Sequence, residues 1–268
     1  MGNEPEIIVV DDLDAAASVA ADRIAATLAD AVARRGRADW ATTGGSSVVG
    51  IYRRLVVEPL RVAVPWPAVH VWWGDDRYVP RDHPLSNVKP LDDILLAIGL
   101  TEEGVAGGRG PGVPLPPANL HPFRTTESIG GSHGAAWCAA ALADELGDAH
   151  LPADGPWPRF DLLLLGMGAD GHVLSVFPGS AALGARALAL PVPAPSHIEP
   201  RVERLTLNPA VVGAAGSVLL VAAGAAKAPV LAAVFGETHD PARWPAQLAR
   251  RAGATWILDR AAAASLPR

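Results

Sequence analysis

Apolar runs that are continuous rather than alternating recur along the chain, and they constrain the fold more than any other feature. "EIIVV" (6–10), "AVHVWWGDDR" (68–77), "FDLLLLG" (160–166), "SVLLVAAG" (217–224) and "ATWILD" (254–259) each read as a strand, as does the start of "ADWATTGGSS" (38–47). A strand exposed on one face alternates apolar and polar residues, whereas one covered on both faces has no reason to. Between these runs lie stretches with helical spacing. "LDAAASVAADRIAATLADAVARR" (13–35) places Leu13, Val19 or Ala20, Ile24, Leu28 and Val32 on one stripe, with Asp12 or Asp14 as cap and Gly36 as stop. "VVGIYRRLVVE", "SNVKPLDDILLAIG", residues 134–147 and "AAKAPVLAAVFG" read as further helices, with Pro90 in the first turn of the second.

Buried strands alternating with helices predict an α/β fold: an open, mainly parallel, doubly wound sheet with helices on both faces. The expectation is one domain over residues 1–268 without internal repeats. The Gly/Pro-rich stretch at 104–119 reads as a surface loop, and the Pro-rich part of "LALPVPAPSHIEPRVERLTL" as an irregular connection. In such sheets ligands gather beyond the carboxyl ends of the strands, where the strand order reverses. Three strands end in chemistry: "TTGGSS", "GDDR" and "GMGADGH". Their convergence on one cleft outweighs any single motif.

Composition excludes several classes. The formal charge is −6, which argues against nucleic acid and anionic membranes as partners. No apolar run reaches the roughly 18 residues of a membrane span. The acidic start "MGNEPEIIVVDDLD" does not resemble a secretory signal, so a soluble, cytoplasmic protein is expected. One cysteine, Cys138 in "AAWCAAALADEL", excludes an internal disulfide and a multi-cysteine metal site; it reads as a small buried hydrophobe. Among 22 basic residues only Lys89 and Lys227 are lysines.

Thr42 to Ser47 form a glycine turn opening a helix, where Gly44, Gly45 and Ser46 can present N–H groups and hydroxyls to a phosphate. A plain βα turn with a serine cap uses the same residues, and neither nucleotide fingerprint is present. Asp75-Asp76-Arg77 is either a solvated charged turn or a strand-end site whose guanidinium, held by a neighbouring carboxylate, takes an oxyanion. Asp170-Gly171-His172 sits on a glycine-rich exit with Gly168, followed by "VLSVF", expected to pack a helix back onto the sheet. An imidazole there is a natural general base with the carboxylate setting its tautomer. Metal ligation is the other functional reading, but no second ligand stands at i+4. Arg204 and Thr206 precede a helix capped near Asn208, and Lys227 sits near the start of another helix, opposing its dipole. The eight tryptophans read as packing.

The segments "TTGGSSVVGIYRRL", "VHVWWGDDRYVPRDHPLSNV", "FDLLLLGMGADGHVLSVFPGS", "RLTLNP" and "AAGAAKAPVL", in this order, resemble the 6-phosphogluconolactonase family, within the wider group that includes glucosamine-6-phosphate deaminases. The resemblance spans the chain to "WILDRAAA". It implies a Rossmann-like fold of the deaminase type and hydrolysis of the 1,5-lactone of 6-phosphogluconate in the oxidative pentose phosphate pathway, without metal or organic cofactor. Carried over by motif, His172 is the base that activates water and Asp170 supports it. Arg77 and Lys227 hold phosphate or developing charge, and Gly44, Gly45 and Ser46 line the site, with Asp75, Gly168 and Arg204 as further substrate contacts. The partner implied is a small sugar-phosphate lactone, the protein being a monomer or small homo-oligomer. One departure is Asp76, where the family usually has Glu.

The same-fold rival, an isomerase or deaminase, needs a second acid/base carboxylate; where deaminases continue toward a Glu-Pro element, this chain has Ser175, Val176, Phe177 and Pro178. A sugar-phosphate sensor would carry a DNA-binding region, for which a first strand beginning near residue 7 leaves no room. A degenerate paralogue that binds without hydrolysing would not need His172.

Overall fold

The computed structural model describes residues 4–96 and 112–267. Among the described residues, twelve strands follow one another along the chain. The first six are β1 (Glu6–Val10), β2 (Ala38–Thr42), β3 (Val69–Trp73), β4 (Asp75–Arg77), β5 (Leu120–His121) and β6 (Ala153–Asp154). Then come β7 (Trp157–Pro158), β8 (Leu162–Gly166), β9 (Ala189–Val192), β10 (Arg204–Leu207), β11 (Ser217–Ala222) and β12 (Ala254–Asp259). Seven form a central sheet in the order β1-β12-β11-β8-β2-β3-β5, every pairing parallel. A second sheet, β4-β10-β9, is antiparallel, and β6 and β7 make a small hairpin.

The burial pattern explains the uninterrupted apolar runs. In β8, Leu162, Leu163, Leu164 and Leu165 are all buried, so both faces of the strand are covered. In the central sheet, edge strand β1 keeps large apolar side chains exposed, at Ile7 and Val9. Trp40, Trp66, Trp72, Trp73 and Trp256 are buried as packing residues, and Cys138 is buried with them, its thiol pushed up to about 12 by that burial.

Helix α1 (Leu13–Arg35) carries the chain from the edge of the sheet to its middle, since β1 and β2 lie four strand spacings apart. That crossing is roughly 19 Å at ~4.8 Å per strand, within reach of a helix of roughly 35 Å. Its buried side is mostly alanine, at Ala16, Ala17, Ala20, Ala21, Ala25 and Ala31, which lets it lie close against its neighbours. Asp12 caps its start by accepting from the Ala15 N–H at 2.8 Å, and Gly36 ends it in the left-handed conformation.

The strand order reverses between β2 and β8. From β2 the chain builds outward through β3 and β5, and from β8 outward through β11 and β12. The crevice expected of such a reversal therefore opens beyond the carboxyl ends of β2 and β8.

Three sequence expectations are corrected. The run "AVHVWWGDDR" is two strands in two sheets. Gly74 N–H donates to Thr42 O of β2 at 2.8 Å, while Gly74 O accepts from Leu207 N of β10 at 2.8 Å. Asp75, Asp76 and Arg77 thus lie on a paired strand rather than a solvated turn. "VLSVF" forms no helix: Val173 and Val176 make an antiparallel bridge, with Leu174 at φ 55 between them. Four of those five side chains are apolar and buried, so a tight turn inserts them all where one helix face would have left some outside. The helix expected at "SNVKPLDDILLAIG" is a short wide turn at Leu91–Leu95, and residues 97–99 lie outside the described residues. Of the proposed 104–119 loop, 104–111 also lie outside them; Pro117–Asn119 is a single 3₁₀ turn.

Double coverage has a direct test. Leu163→Ala and Leu164→Ala point to opposite faces, and each is expected to cost about 2–5 kcal/mol in urea denaturation. A sheet covered on one face would leave one of them near neutral.

Candidate active site

A cleft of about 240 Å³ opens at the reversal of strand order. Five chain segments build its walls. The β2–α2 connection supplies Gly44, Gly45 and Ser46, helix α2 running Ser46–Leu55. Strand β4 supplies Asp75 and Arg77, and β10 supplies Arg204. The exit of β8 contributes Gly168 and His172, and the exit of β11 contributes Lys227, at the end of a 3₁₀ turn leading into helix Ala228–Val234. Asp170 does not line the cleft; it stands behind His172. The structure thus brings the residues from these strand ends into one cleft, and Lys89, the other lysine, pairs with Asp93 elsewhere.

Helix α2 begins without a side-chain cap, Gly45 taking the cap position at φ 97. The serine cap of a plain βα turn is absent, so the first N–H groups of α2 face the cleft alongside Ser46 and Ser47.

His172 is held from behind. Its Nδ1 lies 2.6 Å from Asp170 Oδ1, and its own backbone N–H reaches the same oxygen at 3.2 Å. Burial favours the protonated acid at Asp170, but the bonds and charge of His172 and a second bond from His197 outweigh it. The carboxyl is held far below the usual carboxylate range. An ionised carboxylate only accepts, so Nδ1 carries the proton and Nε2 keeps its lone pair. The imidazole that lines the cleft is therefore fixed in orientation, with Nδ1 turned to the carboxylate.

The cations opposite are gripped by uncharged oxygens, not by the neighbouring carboxylate that the sequence suggested. Arg77 Nη1 donates to Leu85 O at 2.9 Å and to Asn87 Oδ1 at 2.8 Å. Arg204 donates through Nε to Val202 O and through Nη2 to Pro200 O, at 3.2 and 2.8 Å. Arg77 and Arg204 are direct register partners across β4 and β10. Burial lowers the Arg204 pKa, and the Arg77 charge adds to it. Burial also lowers that of Lys227, against the pull of Asp170. Three cationic side chains thus line one cleft, which suits an anionic ligand.

The family of glucosamine-6-phosphate isomerases/6-phosphogluconolactonase matches residues 11–257. The chain belongs to this family. It is 34% identical over 272 residues to a 6-phosphogluconolactonase of Streptomyces coelicolor, covering 100% of this chain and 97% of that one. A 6-phosphogluconolactonase of Mycobacterium tuberculosis is 34% identical over 264 residues, covering 97% of this chain and 98% of the relative. Among solved structures, a 6-phosphogluconolactonase from Trypanosoma cruzi superimposes with a TM-score of 0.83 at 25% identity, over 100% of this chain and 99% of that one.

Several residues that hold the cleft's side chains in place escaped sequence reasoning. Asn87 bonds Arg77 and donates through Nδ2 to Asp75 O at 2.9 Å and Asp75 Oδ1 at 3.2 Å. Ser175 Oγ donates to Asp75 Oδ2 at 2.7 Å, and Thr43 Oγ1 approaches Asp75 Oδ1 at 3.4 Å. His197 meets Asp170 from a distant connection. Only "LSNV" beside the aromatic strand carried any signal, because a lone Asn among turn residues has no periodicity to betray it.

Asp76, the shortened acid, is fully buried and points away from the cleft. Burial pushes its carboxyl up to about 7, against the backbone N–H groups of Asn87 and Arg77 that donate to Oδ1 at 2.6 and 2.8 Å. A carboxyl raised in the folded state binds more protons there than in the unfolded chain, so it stabilises at low pH and the stabilisation fades as pH climbs from about 4 to 7. Asp76→Asn should flatten that slope by on the order of 1 kcal/mol per pH unit, read from denaturation midpoints at several pH values.

Gly168 makes the dyad possible by close approach. A Cβ there would lie 2.0 Å from His172 Nδ1 and 2.4 Å from Asp170 Oδ1. Gly168→Ala is expected to break the Asp170–His172 bond while the sheet survives. Loss of the downfield imidazole proton in NMR, with the melting temperature nearly kept, is the expected result.

Proposed function

We propose that this chain hydrolyses 6-phospho-D-glucono-1,5-lactone to 6-phospho-D-gluconate, with His172 as general base. One observation carries the assignment: an imidazole whose Nδ1 is bonded to an ionised carboxylate presents Nε2 to a cleft walled by Arg77, Arg204 and Lys227. The names of the relatives agree with this reading.

A lactone is an activated ester, so water and one positioned base can open it without a covalent nucleophile. Nε2 removes a proton from water as its oxygen bonds to C1, and the carbonyl electrons move onto oxygen. The guanidinium, ammonium and α2 N–H groups hold the phosphate and the charge developing on that oxygen. Collapse re-forms the carbonyl, breaks the C1–ring oxygen bond, and the imidazolium returns its proton to the departing ring oxygen. Asp170 keeps the charged imidazole in place throughout. A positioned base contributes ~10²–10⁴-fold, and each oxyanion donor ~10²–10³-fold.

The isomerase or deaminase alternative moves protons between C1 and C2 and needs a free second carboxylate. Asp75 is the acidic side chain lining the cleft, and both its oxygens already accept, from Ser175 and from Asn87 and Thr43. That occupancy favours the hydrolase.

The test follows the decay of freshly generated lactone above its spontaneous rate, with ammonia release from glucosamine 6-phosphate measured in parallel. Wild type should accelerate lactone decay, and His172→Ala should lose ~10²–10⁴-fold in kcat. Ammonia release without lactone decay would transfer the chain to the deaminase reading. Inactivity in both assays would make it a binding protein.

A further inference from the structure

Asp170 serves two imidazoles. Its Oδ1 accepts from His172 Nδ1 at 2.6 Å, and its Oδ2 accepts from His197 Nε2 at 2.8 Å. His197 comes from the Pro-rich connection between β9 and β10, 27 residues away from Asp170. The Phe177 ring lies between the two histidines, its centroid 4.7 Å from His172 and 5.7 Å from His197 in an edge-on arrangement. The carboxylate therefore couples the two imidazoles.

We propose that His197 is a positioning residue for the catalytic dyad, locking the Asp170 carboxylate in rotation and weakening its pull on the His172 imidazolium. The inference rests on the reading of His172 as base. A carboxylate held by one side-chain donor can still rotate about its terminal bond, because that torsion is broad. A second donor on the other oxygen removes the freedom, as outer partners do for metal-bound histidines. Each donor also draws charge from the carboxylate. The more charge His197 takes, the less Asp170 stabilises a proton on His172, and the lower the pH at which the base becomes available.

The charged groups around this pair are few among the described residues. Lys227, at the exit of β11, feels the Asp170 charge across the cleft. Glu199 and Arg201, on the same connection as His197, pair with each other at 3.0 Å. That connection also supplies the Pro200 and Val202 carbonyls that hold Arg204, so one segment supports both the base and a cation of the opposite wall.

Two variants, His197→Ala and His197→Gln, separate the contributions; the side chain is 46% exposed, so neither should disturb folding. His197→Ala removes the donor: kcat should fall roughly threefold to tenfold with KM nearly constant. The acid limb of kcat/KM should move up by about half a pH unit to one unit, because His172 becomes more basic. His197→Gln keeps an amide donor and should restore most of kcat. NMR titration of the His172 ring should show the same upward movement without turnover. In a His172→Ala background, His197→Ala should change nothing further.

An unmoved acid limb in His197→Ala, a loss falling wholly on KM, or an equal additional loss in the His172→Ala background would overturn the proposal. If His172→Ala itself keeps the wild-type rate, the base assignment fails and the proposal with it. If His172→Ala collapses while His197→Ala matches wild type, only the role of His197 fails.

Discussion

Arg77, on the cationic wall of the cleft, is tied to the buried acid beside it through one side-chain amide. Asn87 accepts from Arg77 with its oxygen and donates to Asp75 twice with its nitrogen, while its backbone N–H bonds Asp76 and its backbone oxygen takes the Trp73 indole N–H at 3.1 Å. Every polar group of the residue is committed, and an amide, with both donor and acceptor, is what lets an arginine and an aspartate share one side chain. Gly44 lies so near that a Cβ there would sit 1.9 Å from the Asn87 oxygen. The glycine turn, the buried acid and the guanidinium are thus fixed relative to one another through a single buried group.

The imidazole of His172 belongs to another part of the fold. His172 leaves the central sheet at β8, whereas Arg77 and Arg204 stand on the small antiparallel sheet. Gly74 joins the two sheets by giving its N–H to one and its carbonyl to the other. Ser175 closes the gap from the opposite side, since it lies three residues beyond the base and bonds the acid on β4. The distance between His172 and the two arginines is therefore set twice, once through the backbone and once through a side chain.

What was legible in the sequence was local. β8, β11 and β12 announce themselves as apolar runs, α1 by its stripe with Asp12 and Gly36 at its ends, and the site residues by following strand ends directly. What was not legible depends on pairings between distant segments. Nothing within "VHVWWGDDR" says that Gly74 changes sheets, because the partners that decide it, Thr42 and Leu207, lie far along the chain. The helix expected at "VLSVF" failed for a similar reason: buried surroundings for Val173, Leu174 and Val176 on different sides favour a turn that the run of residues alone does not reveal. Asn87, Ser175 and His197 are single polar residues whose partners are 12, 100 and 27 residues away.

Arg77 and Arg204 face each other across adjacent antiparallel strands, an arrangement that ordinarily weakens a sheet. Carbonyls and an amide accept some of their protons but cannot cancel their charge. The folded chain thus carries a local repulsion that an unfolded chain, with the two residues far apart, does not. Selection for tight capture of an anion and selection for a sturdier protein pull in opposite directions at this pair. A bound dianion reconciles them, since whatever binds only the folded form shifts the equilibrium toward it. The protein's durability would then track the supply of its own substrate.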